Sequence, residues 1–468
     1  QRGLFARGKY NQFSQHQPYD TLAQAIGTLI RQMLTETTEQ LEAWRSETLN
    51  VLGINGQLLT AVIPELSLLL GPQPDVTPLP PTEARNRFND LFCRFLTCLA
   101  QKEHPLVLFV DDLQWCDDAT LDLLELISSN PEEHPYILLI FAYRSNEVDA
   151  HHRIQFAREL LNKNQVSLVD IELTELDKVA VNEITAYMLN TEPSSTNGIT
   201  EAIYTTSGGN PLLVSESLRW LHHRGGIYYG DDGLWHWKEI DLAQLELPDS
   251  ALALFTEKLS LLPPETQNLL THAALLGARF KATDLADLFG IGLGDLLQQL
   301  ADAFSQRFLL KDKSELYFFH DQLQMATAKL LSAHEEKQIH KKIAQLLIRQ
   351  LGPNKDSEYL HDQGKLLYAI AGHLKKGREG VQSDDKRVEE AHFNFLAGEA
   401  ALHALAHSAA NYYFFESAGL CNKEDWLKHY DFMLRLHKNR ARAALLVGEQ
   451  KNANDIINIA LKQAQNDL

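Results

Sequence analysis

Leu106-Val-Leu-Phe-Val-Asp-Asp-Leu-Gln-Trp-Cys-Asp-Asp118 decides the fold. Its first five residues are continuously apolar and rich in β-branched side chains, the pattern of a strand covered on both faces, as in a parallel sheet. Two carboxylates follow at once, Asp111 and Asp112. The C-terminal edge of a parallel sheet is where α/β folds bind ligands. Asp117 and Asp118 are natural caps for the helix written by ATLDLLELI. Working outward, Tyr136–Tyr143 (YILLIFAY) reads as a second buried strand and Val166–Leu173 (VSLVDIEL) as a third. Upstream, Leu4–Phe13 alternates as a strand, and Thr21–Leu34 carries apolar residues at helical spacing. Gly71–Pro81 is a loop, with Thr82 and Glu83 opening the next helix. Strand and helix alternating at this spacing predict right-handed crossovers and a parallel sheet.

After Leu173 the texture becomes helical. Gly208-Gly209-Asn210-Pro211 breaks the chain before LLVSESLRWL, and Ile227–Trp237 (IYYGDDGLWHW) reads as a hairpin about Gly-Asp-Asp-Gly. From about Glu246, short helices end in FLLKDKSELYFFHD, two strand-like pieces around a polar turn, which is a winged-helix pattern. Beyond Ser332 everything is helical. There, AGEAALHALAHSAANYYFFESAGL and RARAALLVGEQKNANDIINIALKQA look alike, the texture of tetratricopeptide-like hairpins. The expected fold class is α/β followed by all-α. Its expected segments are 1–175 (α/β core), 176–245 (helical lid with hairpin), 246–331 (winged helix) and 332–468 (helical repeats).

The 468 residues are 44% hydrophobic and 22% charged, so global disorder is excluded. Lys and Arg number 43 against 62 Asp and Glu, a net charge of −19. That balance disfavours a protein that coats nucleic acid by neutralising phosphates, and LGDLLQQLADAF offers the proposed winged helix almost no cation for a phosphate backbone. Cys93, Cys98, Cys116 and Cys421 form no C-x-x-C pair, so reduced thiols in a cytoplasmic protein are expected. No apolar run reaches the ~20 residues of a membrane span. The opening QRGLFARGKYNQF lacks both a signal-peptide core and an initiator Met, and reads as a cut from a longer polypeptide.

Several residues carry chemistry. Asp111 can hold the Mg²⁺ of a nucleoside triphosphate, often through a water, and Asp112 can polarise an attacking water. The bland alternative is two acids capping a turn. Arg144 ends the neighbouring strand and can stabilise charge in phosphoryl transfer; otherwise it is a surface cation paired with Glu147 or Asp149. Gly3-x₄-Gly8-Lys9 fits the phosphate-loop spacing, but Tyr10 replaces the Ser/Thr and the intervening residues are strand-like, so it is rejected. Gly290-Ile-Gly-Leu-Gly294 reads as a turn between short helices. His151-His152 and His222-His223 read as solvated pairs.

The stretches RGLFARGKYNQF, PTEARNRFNDLF, HPLVLFVDDLQWCD, AYRSNEV, TSGGNPLLVSESL, YFFHDQLQMA and AGHLKKG carry a resemblance. The chain resembles the ATPase module of the STAND class, the signal-transduction ATPases with numerous domains. More closely, it is similar to the AAA-type ATPase segment of large bacterial hybrids, which have a Ser/Thr kinase domain before it and GAF and histidine-kinase domains after it. The resemblance implies that Asp111 and Asp112 are Walker B acids and Arg144 a sensor arginine. It further implies that Pro211 packs on adenine and that His320 meets the β-phosphate of ADP. In that family the phosphate loop precedes the strand that opens this chain, so the chain alone is expected to bind Mg-ATP weakly or not at all. Cys116 departs from the family's small residue. The cofactors implied are ATP or ADP with Mg²⁺. The partners implied are nucleotide, the fused kinase and sensor domains, and proteins meeting the helical tail, with no direct nucleic acid and no membrane. The reading is an ATP-dependent regulatory switch of a multidomain signalling kinase. The alternatives are a nucleotide-independent interaction scaffold and the ATPase module of a LuxR-type transcriptional regulator.

Overall fold

The computed structural model describes residues 3–10, 17–77, 79–237, 250–352, 363–380 and 383–463. It forms two compact units: residues 1–168 together with 347–468, and residues 169–346.

Three parallel strands organise the first unit: β1 (Leu4–Lys9), β2 (Leu106–Asp111) and β3 (Ile137–Phe141), in that spatial order. Register places Lys9 opposite Asp111 and Gly8 opposite Val110. Gly8 has no alternative residue: a Cβ there would lie 2.6 Å from the Thr21 methyl and 2.8 Å from its carbonyl oxygen. Helices α1 (Asp20–Met33), α2 (Thr38–Leu52), α3 (Gly56–Val62), α4 (Leu66–Leu70) and α5 (Pro81–Leu99) fill the chain between β1 and β2. Their apolar faces meet Leu106, Leu108 and Val110 in one core with Ile26, Leu29, Phe88, Phe92 and Phe95. Thr37 and Gln40 close a reciprocal capping box at the start of α2. Helix α6 (Asp118–Ser129) follows β2, and α7 (Arg153–Lys163) follows β3.

Two expectations need correction. Among the described residues the sheet is covered on one face, not both: Leu106, Leu108 and Val110 are fully buried, whereas Phe5 and Leu138 on the opposite face are more than half exposed. A continuous apolar run cannot report which of its faces the chain actually covers. Second, Val166–Leu173 is not a strand; it has no regular structure, and Val169, Ile171 and Leu173 lie open to solvent. Alternating apolar residues become a strand only where a neighbour accepts their backbone hydrogen bonds, and no ladder partner is present for them among the described residues. Of the expected first strand, Leu4–Lys9 forms; residues 11–13 lie outside the described residues.

The same unit contains helices from the C-terminal part: α18 (Gly364–Lys376), α19 (Asp384–His403), α20 (His407–Leu420), α21 (Asp425–Lys428), α22 (Tyr430–Leu446) and α23 (Gln450–Gln463). The two look-alike stretches form matching helix pairs, α19 with α20 and α22 with α23, each joined by a three-residue turn. Corresponding alanines, Ala401 with Ala444 and Ala410 with Ala453, are wholly buried in both. This tail packs on the α/β part: Ala406 belongs to the same core as the sheet, and Lys365 pairs with Asp20 at 2.6 Å.

In the second unit, α8 (Lys178–Met188), α9 (Asn197–Ser207) and α10 (Pro211–His223) precede the hairpin β4 (Ile227–Tyr229) and β5 (Trp235–Trp237), antiparallel as the sequence predicts. Helices α11 (Ala251–Ser260) and α12 (Pro264–Leu276), strand β6 (Arg279–Lys281), helices α13 (Ala282–Phe289), α14 (Leu293–Gln299) and α15 (Ala301–Ser305), then β7 (Leu309–Asp312) and β8 (Glu315–Phe318) come next. The three strands form an antiparallel sheet in the order β6-β8-β7, followed by α16 (Asp321–Ala328) and α17 (Ala333–Leu351), which spans the division between units. Gly290 ends α13 with a positive φ of 65°, the turn expected there. No described helix is long and apolar enough to cross a membrane.

Candidate functional site

Asp112 is the pivot. It leaves β2 in the left-handed region, φ 54° and ψ 43°, which an Asp tolerates better than most residues. That turn swings the chain off the sheet, and the Leu113 N–H donates to the Ala142 carbonyl at 2.9 Å. The Asp112 side chain is only 5% exposed. A buried carboxylate requires partners, and it has three. Gln114 Nε2 donates to its Oδ1 at 3.0 Å, Arg144 Nε lies 3.2 Å from that oxygen, and Lys9 Nζ lies 3.4 Å from Oδ2. One carboxylate from the central strand is thus held between cations from both neighbouring strand ends.

Gln114 and Arg144 brace one another. The Arg144 backbone N–H donates to Gln114 Oε1 at 3.2 Å, and the Arg144 guanidinium sits 5.2 Å over the Trp115 ring. Glu147 receives Arg144 Nη1 at 3.2 Å and Gln114 Nε2 at 3.4 Å. Arg144 pairs with Glu147 through Nη1, as one of its two readings had it, and with Asp112 through Nε. Asp111 stands differently. Its carboxylate is more exposed, accepts from the Asp112 N–H at 3.0 Å, and has Arg7 at 3.5 Å.

Just beyond lies a second polar layer. Cys116 Sγ donates to Tyr10 Oη at 3.1 Å, a contact between the residue that follows β1 and the turn after β2. Asp117 caps α6, accepting from the Thr120 N–H at 2.9 Å and its hydroxyl at 2.5 Å. Burial pushes the Asp117 carboxyl up to about 6 and drives the Tyr10 and Cys116 groups well above their ordinary range. His152 is not a solvated histidine as the sequence reading had it. Its Nδ1 accepts from the Ile154 N–H at 3.2 Å at the start of α7, and its Nε2 donates to the Gln114 carbonyl at 3.1 Å.

Of the residues singled out in the sequence, Asp111, Asp112 and Arg144 come together in the first unit. Pro211 and His320 belong to the second. Pro211 occupies the first position of α10, where its missing N–H costs nothing, behind an Asn210 cap that accepts from Leu212 and Leu213. His320 caps α16, its Nδ1 accepting from the Gln322 N–H at 3.1 Å. Lys9 and Gln114 escaped sequence reading as members of this site, whereas Glu147 had been named there as a partner of Arg144. Lys9 was dismissed with the false phosphate loop, and the structure does place Leu4–Lys9, all of that spacing but Gly3, in strand β1. Only the sheet order, with β1 beside β2, brings its ammonium to Asp112. Gln114 lay in plain view, two residues past the acids. Among the described residues no group of three or more His, Cys, Asp or Glu side chains is arranged to hold a metal ion.

Residues 1–140 match the AAA ATPase domain family model. The chain is 22% identical over 581 aligned residues to the hybrid signal transduction histidine kinase G of Dictyostelium discoideum, covering 99% of this chain and 17% of that protein. It therefore spans about a sixth of the length of that relative. Among solved structures, the Signal Transduction ATPase with Numerous Domains protein with a tetratricopeptide repeat sensor from Pyrococcus horikoshii matches 99% of this chain and 68% of its own. The identity is 10% and the TM-score 0.39.

Proposed function

We propose that this chain is the ATP-binding and ATP-hydrolysing switch segment of a cytoplasmic multidomain signalling kinase, with Asp112 as the group that orients the attacking water. One observation carries this: a buried carboxylate at the C-terminal edge of a parallel sheet, held between Lys9 and Arg144. Fixed orientation of a water-positioning group, rather than covalent chemistry, is what phosphoryl transfer needs from a protein. Arg144 lies beside that carboxylate as a cation for charge built up in transfer. Mg²⁺ supplies neutralisation of phosphate charge when bound. The donor set fits it in the manner usual for nucleotide sites, one or two carboxylates completed by phosphate oxygens and water, with the more accessible Asp111 as its holder. Pro211 and His320 are assigned by family resemblance to adenine and to the β-phosphate of ADP, alongside their local capping roles. The antiparallel sheet with its helices is read as a winged helix, and the paired tail helices as tetratricopeptide-like repeats that meet protein partners. The nucleotide biases a two-state arrangement of fused kinase and sensor domains through differential contacts.

The test is ATP turnover in a longer protein that includes this segment. Asp112→Asn is expected to lower turnover by roughly 10² or more while nucleotide still binds, and Asp111→Ala to weaken the Mg²⁺ dependence. Wild-type turnover in Asp112→Asn would overturn the assignment. Absence of nucleotide binding, with signalling intact in Asp111→Ala, would favour the scaffold reading.

A further inference from the structure

Gln114 lies in the short turn Leu113–Trp115 that follows the left-handed Asp112. Each side chain of that turn has its own place. Leu113 is buried in the sheet core, Trp115 lies beneath the Arg144 guanidinium, and Gln114 folds back on the carboxylate two residues before it. Gln114 is 6% exposed, and a buried carboxamide has an acceptor oxygen and two donor hydrogens to satisfy. All are placed. Its Oε1 accepts from the Arg144 backbone N–H at 3.2 Å, and its Nε2 donates to Asp112 Oδ1 at 3.0 Å and to Glu147 Oε2 at 3.4 Å. The partners force this orientation. A backbone N–H can only donate and carboxylates can only accept, so the flipped amide would lose all three bonds.

The main chain of the same residue is fixed from another element. His152 Nδ1 accepts from the Ile154 N–H at the start of α7, so the ring hydrogen is on Nε2, which donates to the Gln114 carbonyl at 3.1 Å. Gln114 is thus tied at once to the end of β2, to the turn after β3 and to α7. The consequence falls on Asp112. Its Oδ1 meets two donors, Gln114 Nε2 at 3.0 Å and Arg144 Nε at 3.2 Å. Its Oδ2 meets Lys9 Nζ at 3.4 Å, longer than a close charge-assisted hydrogen bond. The two oxygens are therefore not equivalent, and Oδ2 is the one with an acceptor position to offer a water.

We propose that Gln114 is the positioning residue of this site: it holds Asp112 with Oδ2 toward the attacking water and sets the spacing between that carboxylate and Arg144. This role rests on the reading of Asp112 as the water-orienting group. Gln114 itself touches no reacting atom and acts through Asp112. Phosphoryl transfer depends on such orientation, and a small misplacement of the orienting group is expensive in rate. The residue type follows from the contacts. Asn would be one methylene too short to span them, and Glu would set a third carboxylate against Asp112 and Glu147.

Steady-state ATP turnover in the longer protein tests it, with urea unfolding to establish that each variant folds. Gln114→Met keeps the volume and removes the hydrogen bonds. It is expected to lower kcat roughly 10- to 100-fold while KM for ATP stays within about threefold of wild type. Gln114→Glu should lose at least as much. Gln114→Asn, which keeps the amide and shortens its reach, is the second variant should Gln114→Met not fold, with the same split expected. Added to Asp112→Asn, Gln114→Met should lower kcat by less than about threefold more, because the group it positions is already gone. An unchanged kcat in Gln114→Met or Gln114→Glu, where Asp112→Asn is impaired, would overturn the role of Gln114 and leave that of Asp112 standing. So would a loss in the double variant as large as the one Gln114→Met causes alone. Wild-type turnover in Asp112→Asn would instead overturn the reading of Asp112, and the role of Gln114 with it.

Discussion

At the scale of single residues, burial decides the behaviour of Asp117. Its carboxyl is raised from the ordinary 3.8 to about 6 because the charged form is poorly solvated beneath α6. The stability this group lends is therefore complete below pH 3.8 and is lost as pH rises through about 6. Asp117→Asn keeps a cap acceptor and does not titrate. Relative to wild type, the variant is expected to gain up to about 3 kcal/mol of stability between pH 4 and 7. Urea unfolding across that range checks it, and a pH-independent difference would contradict the burial argument. His407 has the opposite sign: its folded value of about 4 lies below the ordinary 6.5, so its contribution is present above 6.5 and disappears as pH falls through about 4. At this scale the sequence was informative for Asp112 and Arg144, whose positions follow from strand ends. It was silent on Lys9, because Lys9 lies more than a hundred residues from Asp112 along the chain.

Among elements, the Gly208-Gly209 break before α10 shows how a turn is specified. Both glycines have positive φ, 55° and 83°. A Cβ on Gly208 would meet nothing within 4 Å, whereas one on Gly209 would lie 2.1 Å from the Leu176 carbonyl oxygen. Gly208→Ala is expected to cost about 1 kcal/mol, the ordinary penalty of a left-handed non-glycine. Gly209→Ala should cost about 2 kcal/mol beyond that, since backbone must move. Urea unfolding of the two variants side by side separates conformation from collision. Asn210→Ala removes the cap that serves Leu212 and Leu213, and about 1 kcal/mol with it. These signals are local, so a Gly-Gly-Asn-Pro string announces them. Val166–Leu173 marks the limit of such reading: its alternation was as good as that of a true strand, yet a strand also needs a neighbour, and no local pattern supplies one.

For the molecule as a whole, the tail and the α/β part of the first unit share one core, with Ala406 among the sheet-facing residues and Lys365 paired to Asp20. They should open together. Hydrogen exchange is expected to report similar opening free energies for the amides of α6 and α20, and unlinked exchange would show the tail to be a separate folding unit. Composition, the apolar run ending in Asp111-Asp112, and the helical and turn signals determined by themselves that the chain is a parallel α/β core followed by helices, because periodicity and turn chemistry act over a few residues. Tertiary structure alone decided which face of the sheet is covered, that Lys9 joins Arg144 beside Asp112, and that the tail turn at Leu405 packs near the segment after β2. Those are contacts between residues remote in the chain, set by the order of strands and the docking of helices.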